Sequence, residues 1–279
     1  MHPPILRAGV LRLMVLAAPA LLAAPAGAQD FTVCQSSAPL LGQVRTSLAK
    51  GGLAALTPEQ MQAMEQAVTG AGTCFPSFTG PDNSVTMLAD GPAETLLAAG
   101  SLAGKKVKGT VQFNPFPQLA LVLGSYANET GKPQDALQML DKGLSLSPFP
   151  DARLGASLHL LVSEKGAALN DLKRFDEALK VYEDGLNIKN LADGDRARLQ
   201  RGRGFALTEL GRLDEAEEAY KQALALVPDD TRSQHELAYI ARVRSGGVKT
   251  APYLTTRPPP SVHQDVPEEQ RAKPPENPN

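Results

Sequence analysis

Tryptophan is missing from this chain, aromatic residues make up only 5% of it, and its 279 residues hold two cysteines and four histidines. So few aromatic positions argue against a β-sandwich and favour helices packed closely through abundant Ala and Leu. His2 and His263 lie in the terminal segments, while His159 and His235 stand alone on helical stretches with no second ligand at helical spacing. No metal site is expected from them, and no sequence feature calls for a cofactor. The two thiols, Cys34 and Cys74, lack CxxC spacing and read as one disulfide formed in an oxidising compartment, worth about 4 kcal/mol on the chain-entropy estimate. The formal net charge of −2 gives no reason to expect a nucleic-acid partner. The longest apolar run, "LMVLAAPALLAAPAG", is short for a membrane span and is interrupted by Pro19 and Pro25.

That run follows His2, Arg7 and Arg12 and closes on Ala26-Gly27-Ala28. A basic start, an apolar middle and an A-x-A end define a secretory signal peptide over 1–28, with cleavage expected before Gln29. The product is expected to be periplasmic, without stable membrane insertion, and loss of Arg7 and Arg12 takes its charge from −2 to −4. At the other end, 246–279 is dense in Pro and poor in large apolar residues, so it reads as a disordered tail.

Residues 29–112 read as a mainly helical N-terminal region. "APLLGQVRTSLAKGG" has helical apolar spacing, and "TPEQMQAMEQAV" starts with Thr57 as N-cap, Pro58 in the first turn and Gln60 completing a capping box. The two make a hairpin whose outer ends Cys34 and Cys74 can join. A Gly/Pro-rich connection, "FPSFTGPDN", and a helix, "PAETLLAAGSLAG", follow. The alternation in "KKVKGTVQF" admits a short strand near 106–113, with Val107, Val111 and Phe113 on one face.

From 113 to 245 the chain repeats itself. "KPQDALQMLDKGL", "RFDEALKVYEDGL" and "RLDEAEEAYKQAL" place Ala136, Ala178 and Ala216 four residues ahead of Leu140, Tyr182 and Tyr220. Gly143, Gly185 and Ala223 follow three residues later, and Gly124, Gly166 and Gly204 precede each Ala by twelve. Helices approach closely only where small residues meet, so each unit is a helix pair whose bulky Leu or Tyr fills the gap towards the next. "TRSQHELAYIARVRSG" closes the stack as a capping helix through Leu237, Ile240 and Ala241. The units lie 42 and 38 residues apart. The surplus in the second is expected to lengthen its first helix by two turns, from Asp151 to Asn170.

This pattern resembles the tetratricopeptide repeat (TPR) family, whose helix pair carries Gly in the first helix and Ala plus an aromatic in the second. The family's Trp is replaced by Ala120, Val162 and Gln200, and Asn190 stands where the middle unit would end in Pro. The fold class implied is an all-α, right-handed solenoid of about three TPR-like units plus the cap, preceded by the N-terminal region. The resemblance further implies a concave groove lined by the first helices that holds a peptide or protein segment. Carried over, that groove displays Leu121, Ser125 and Asn128, then Ser163, Ala167 and Asn170, then Arg198, Arg201, Phe205 and Thr208. Of the family's carboxylate clamp only Arg201 matches, although "DRARLQRGR" concentrates four arginines at this end.

Catalytic motifs are near misses. "AAGSLAGKK" lacks the first Gly and the Ser/Thr of a phosphate loop, and "GASLH" lacks the second Gly of a nucleophile elbow and reads as mid-helix. The expectation is a non-enzymatic scaffold that binds another envelope protein in secretion or envelope assembly. One alternative is a self-assembling subunit, a homo-oligomer whose groove takes another copy's "PEEQRAKPPENPN". The other is an enzyme drawing on Glu59, Glu65, Asp82, Asp90 and Glu94.

Overall fold

Paired glycines and a capping box set the first turn of the molecule. The computed structural model describes residues 32–80, 82–105 and 107–246, so the expected signal peptide and Pro-rich tail lie outside the described residues. Helix α1 (Thr32–Gly51) runs through Pro39 and stops at Gly51-Gly52, where Gly52 has φ 62°. Helix α2 (Pro58–Gly70) begins on the expected box: the Gln60 amide donates to Thr57 Oγ1 at 3.2 Å, and the Thr57 amide donates to Gln60 Oε1 at 3.1 Å. Cys34 and Cys74 are disulfide-bonded across the hairpin's outer ends, with their Cα atoms 5.6 Å apart. Its inner side, Leu41, Val44, Met64 and Val68, packs on Phe116, Leu119 and Leu123 of α4 (Phe116–Glu129).

The N-terminal region is mainly helical, as expected, and the short strand expected near 106–113 belongs to a three-stranded sheet. Strands β1 (Ser77–Thr79), β2 (Val85–Ala89) and β3 (Gly109–Phe113) form a sheet of order β1-β2-β3. The β1–β2 pair is antiparallel, whereas β2 and β3 are parallel and joined through α3 (Pro92–Lys105). As the central strand, β2 is covered by neighbours and shows no clean alternation, so "VTMLA" carries no period-2 signal. β3 starts after Val107, which is exposed, and Phe113 is 42% exposed with the Arg45 guanidinium 5.8 Å above its ring. Val107 and Phe113 therefore do not bury an apolar strand face.

Beyond α4 the chain makes helix pairs: α4 with α5 (Pro133–Leu144), α6 (Leu158–Asp171) with α7 (Phe175–Leu186), and α8 (Asp193–Glu209) with α9 (Leu213–Leu226). Each pair turns through one left-handed residue, Gly131, Lys173 or Gly211. The amide after it reaches the carbonyl five residues back, as Lys132→Ala127, Arg174→Leu169 and Arg212→Leu207, each at 2.9 Å. The in-register small residues are where the helices touch. A Cβ built on Gly124 would meet Leu140 at 2.5 Å, on Gly166 Tyr182 at 2.3 Å, and on Gly204 Tyr220 at 2.9 Å. Tyr182 also lies 2.3 Å from a Cβ built on Gly202 of the next first helix, so its ring fills the space between units.

The surplus of the second unit is a loop, not two turns of α6. After Leu144 the chain runs through a 3₁₀ turn (Pro150–Ala152) and the left-handed Arg153, and α6 begins only at Leu158. Pro148, Pro150 and Gly155 disfavour helix, and the loop is tied to the β–α–β module instead. The Ser157 and Ala156 amides donate to Asp90 Oδ2 and to its carbonyl, both at 2.7 Å, and Ser147 Oγ hydrogen-bonds Glu94. "GASLH" thus ends the loop rather than lying mid-helix. The closing helix α10 (Thr231–Arg244) buries Ser233, Glu236, Tyr239 and Ile240; Leu237 is half-buried and Ala241, expected inside, is exposed.

Candidate functional site

First helices α4, α6 and α8 lie side by side and floor a groove of about 520 Å³. They project residues at helical spacing, so i, i+4 and i+7 positions share one face. The structure brings Leu121, Ser125, Asn128, Ser163, Ala167, Asn170, Arg198, Arg201 and Phe205 together there. Thr208 does not line it. It shares the face by spacing, but this end of α8 is covered: Thr208 is 8% exposed, its hydroxyl donates to the Gly204 carbonyl at 2.9 Å and it sits beside the Tyr220 hydroxyl.

The two asparagines occupy equivalent places in α4 and α6 yet differ in their partners. Asn128 Nδ2 donates to the Glu164 carbonyl at 3.1 Å and to its carboxylate at 3.0 Å, cross-linking the helices and leaving Oδ1 without a partner. Asn170 is 5% exposed, with its amide atoms closed off from solvent and lying beside the Tyr182 hydroxyl.

The four arginines of "DRARLQRGR" separate by task. Arg196 Nη1 donates to the Leu186 carbonyl at 3.3 Å, and Arg203 Nε pairs with Glu183 at 3.2 Å. Arg201 Nη1 pairs with Asp230 Oδ2 at 2.8 Å, and both side chains are largely buried. Burial alone would raise the Asp230 carboxyl, but hydrogen bonds from Ser233 and Arg201, with the Arg201 charge, hold it below its ordinary value. Arg201 is thus a brace between α8 and α10 before it is a ligand contact. Arg198 is exposed and makes no ion pair among the described residues.

Reasoning from the repeats missed part of the wall. Arg232 of α10 joins Arg198 at the basic end. Leu48 of α1 and Leu53 of the turn after it close the opposite end beside Leu121 and Val122. Glu129, Glu164 and Asp171 come from α4 and α6. Leu48 and Leu53 carry no repeat signal and reach the groove only through tertiary packing.

The carboxylates considered for catalysis do not converge as a set. Glu59, Glu65 and Asp82 are exposed, and Asp82 pairs with Lys108 at 3.0 Å. Asp90 and Glu94 do meet, buried, where Glu94 accepts from the Asp90 amide at 2.7 Å. Burial raises both carboxyls, while hydrogen bonds from Ser157 to Asp90 and from Ser147 to Glu94 oppose the rise. Their oxygens hold the 145–157 loop. His159 Nε2 lies 3.4 Å from Asp195, and no cluster of three or more His, Cys, Asp or Glu able to hold a metal exists among the described residues.

Residues 156–229 match the family model described as "Tetratricopeptide repeat", which covers the second and third units. Among solved structures, the first TPR domain of the human RPAP3 protein is 24% identical, covers 47% of this chain and 95% of its own, and gives a TM-score of 0.39. The second TPR domain of human RPAP3, solved in complex with the HSP70 peptide SGPTIEEVD, is 22% identical over 45% and 98%, with a TM-score of 0.37. A MamA RS-1 ArsTM double mutant is 19% identical over 75% and 85%, with a TM-score of 0.42. No curated protein matches the chain.

Proposed function

We propose that the protein is an interaction adapter that holds an extended segment of another protein in the groove formed by α4, α6 and α8. The observation that carries this reading is the groove itself, floored by three successive first helices and ending at the exposed Arg198, which makes no ion pair among the described residues. In the same reading the adapter works outside the cytoplasm, in the periplasm, within envelope assembly or secretion. That part rests on the basic–apolar–small order of 1–28 and on a Cys34–Cys74 bond of the kind that oxidising compartments maintain.

Site-specific photo-crosslinking in intact cells tests both parts. A crosslinker at Ser125 is expected to give one discrete adduct that Arg198→Glu/Phe205→Ala removes, while a crosslinker at the exposed Gln138 of α5 gives a different pattern. Equal adducts from both positions would remove the groove from the account. Recovery of the chain, cut before Gln29, in osmotic-shock fluid is the expected result for export; retention of an uncut chain in the cytoplasm refutes it.

A further inference from the structure

The groove differs chemically from end to end, and this difference specifies its ligand. At the α4 end, Leu48, Leu53, Leu121 and Val122 are each only half-buried, so they present apolar surface to the groove rather than closing it into the core. Two of the four belong to the N-terminal hairpin and none of the repeats could supply them. Its middle is lined by Ser125, Ser163 and Asn170, the last held beside the Tyr182 hydroxyl. The cations lining the groove, Arg198, Arg201 and Arg232, come from α8 and α10, and the lining carboxylates, Glu129, Glu164 and Asp171, come from α4 and α6.

Resting on the adapter reading above, we infer that the groove selects an internal, extended segment of about six residues, with a large apolar side chain at one end and Asp or Glu at the other. The length follows from two helix-to-helix steps of roughly 9–10 Å, crossed by a chain rising about 3.3 Å per residue. The apolar side chain covers Leu48, Leu53, Leu121 and Val122, surface that water otherwise wets. The half-buried Ser125 hydroxyl in the floor can donate to or accept from the ligand's peptide groups, whatever its sequence. The acidic side chain meets Arg198 and Arg232, and the carboxylates of α4 and α6 repel it from the opposite end. A terminal carboxylate is the poorer fit, because Arg201, the cation deepest in the wall, is already neutralised by Asp230 at 2.8 Å. The N-terminal hairpin thus acquires a role in recognition: it supplies the apolar end that gives the ligand its direction.

Panning displayed random decapeptides against the full chain tests this, with each peptide flanked on both sides and a parallel library ending in a free carboxylate. Wild type is expected to enrich internal peptides in which a large apolar residue and an Asp or Glu lie about four to six positions apart. Arg198→Glu/Arg232→Glu is expected to weaken the best peptide by about tenfold or more and to turn selection at the acidic position towards Lys and Arg. Leu53→Ser is expected to relax the apolar position alone. Peptides without this pairing, an unchanged selection after charge reversal, or enrichment confined to free carboxylates would overturn the inference. The adapter reading stands in those cases if Ser125→Tyr or Phe205→Ala still abolishes binding. Failure to enrich any peptide, or winners indifferent to both of these variants, overturns the two together.

Discussion

Alanine in place of Gly166 puts a methyl group where the structure has a tyrosine ring. A Cβ built there lies 2.3 Å from Tyr182 Cζ and 2.6 and 2.7 Å from its two Cε atoms, far inside van der Waals contact. The ring cannot retreat along the stack, because a Cβ on Gly202 would meet it from the next first helix at the same 2.3 Å. Tyr182 is itself 3% exposed. Overpacking of this kind costs about 1–3 kcal/mol, and the absence of any escape puts Gly166→Ala at the upper end. The gain in helix propensity offsets about 1 kcal/mol. The net expectation is a loss of about 2 kcal/mol, or a Tm lowered by about 4–8 °C for a domain of this size. Gly42 of α1 supplies the control, since a Cβ there meets nothing within 4 Å. Gly42→Ala is expected to stabilise by up to about 1 kcal/mol. In a Tyr182→Ala background, which empties the ring's space, Gly166→Ala is expected to lose its penalty and become neutral or stabilising. Thermal and urea denaturation followed by circular dichroism at 222 nm read wild type, the three single variants and the double variant. A Tm raised by Gly166→Ala alone, or an undiminished penalty in the Tyr182→Ala background, would refute the view that these glycines exist to admit the ring.

Three further outcomes follow from other parts of the molecule. Cys34→Ser/Cys74→Ser opens a loop with a sequence separation of 40 and is expected to lower stability by about 4 kcal/mol, less any strain released, with faster amide exchange in α1 and α2; unchanged exchange there refutes it. Burial raises the Glu94 carboxyl above its ordinary 4.5, hydrogen bonds from Ser147 and the Asp90 amide oppose the rise, and the Asp90 charge adds to it. The neutral form's contribution is therefore fully present below 4.5 and lost as pH rises through the elevated folded value. Glu94→Gln can accept from the Asp90 amide through Oε1 and donate from Nε2 to Ser147 Oγ without the charge, so its stability relative to wild type should rise between pH 4 and pH 7; urea titrations showing a flat or falling difference contradict this. Lys173 holds the left-handed position that Gly131 and Gly211 occupy in the other turns, with φ 59°. Lys173→Gly is expected to stabilise by about 0.5–1 kcal/mol and Gly211→Ala to destabilise by a similar amount, read by thermal denaturation; the opposite signs would deny the shared turn geometry.

What the sequence discloses here depends on whether a residue answers to its neighbours along the chain or across it. The register of small and bulky residues is readable because every unit meets the same local packing condition, and the close approaches of Gly124 to Leu140, Gly166 to Tyr182 and Gly204 to Tyr220 are that condition in three dimensions. Thr57 and Gln60 were readable for the same reason, since a capping box is closed within four residues. β2 escaped notice because its burial is imposed by β1, β3 and α3, which erase the alternation that marks a one-sided strand. The eight-residue surplus read as helix because its length fits two turns; the structure spends it on a loop held by Asp90 and Glu94, which lie more than fifty residues away. The groove divides along the same line. Ser125, Asn128, Ser163 and Asn170 follow from helical spacing, whereas Leu48, Leu53 and Arg232 enter from elements outside the first helices. Arg201 and Thr208 mark the converse case, in which correct spacing meets a neighbour that spacing does not reveal: Asp230 claims the guanidinium, and the packing around Tyr220 covers the hydroxyl. Periodicity therefore reports the floor of such a groove, and its ends, where an apolar wall faces a basic one, are decided by the elements that flank the repeats.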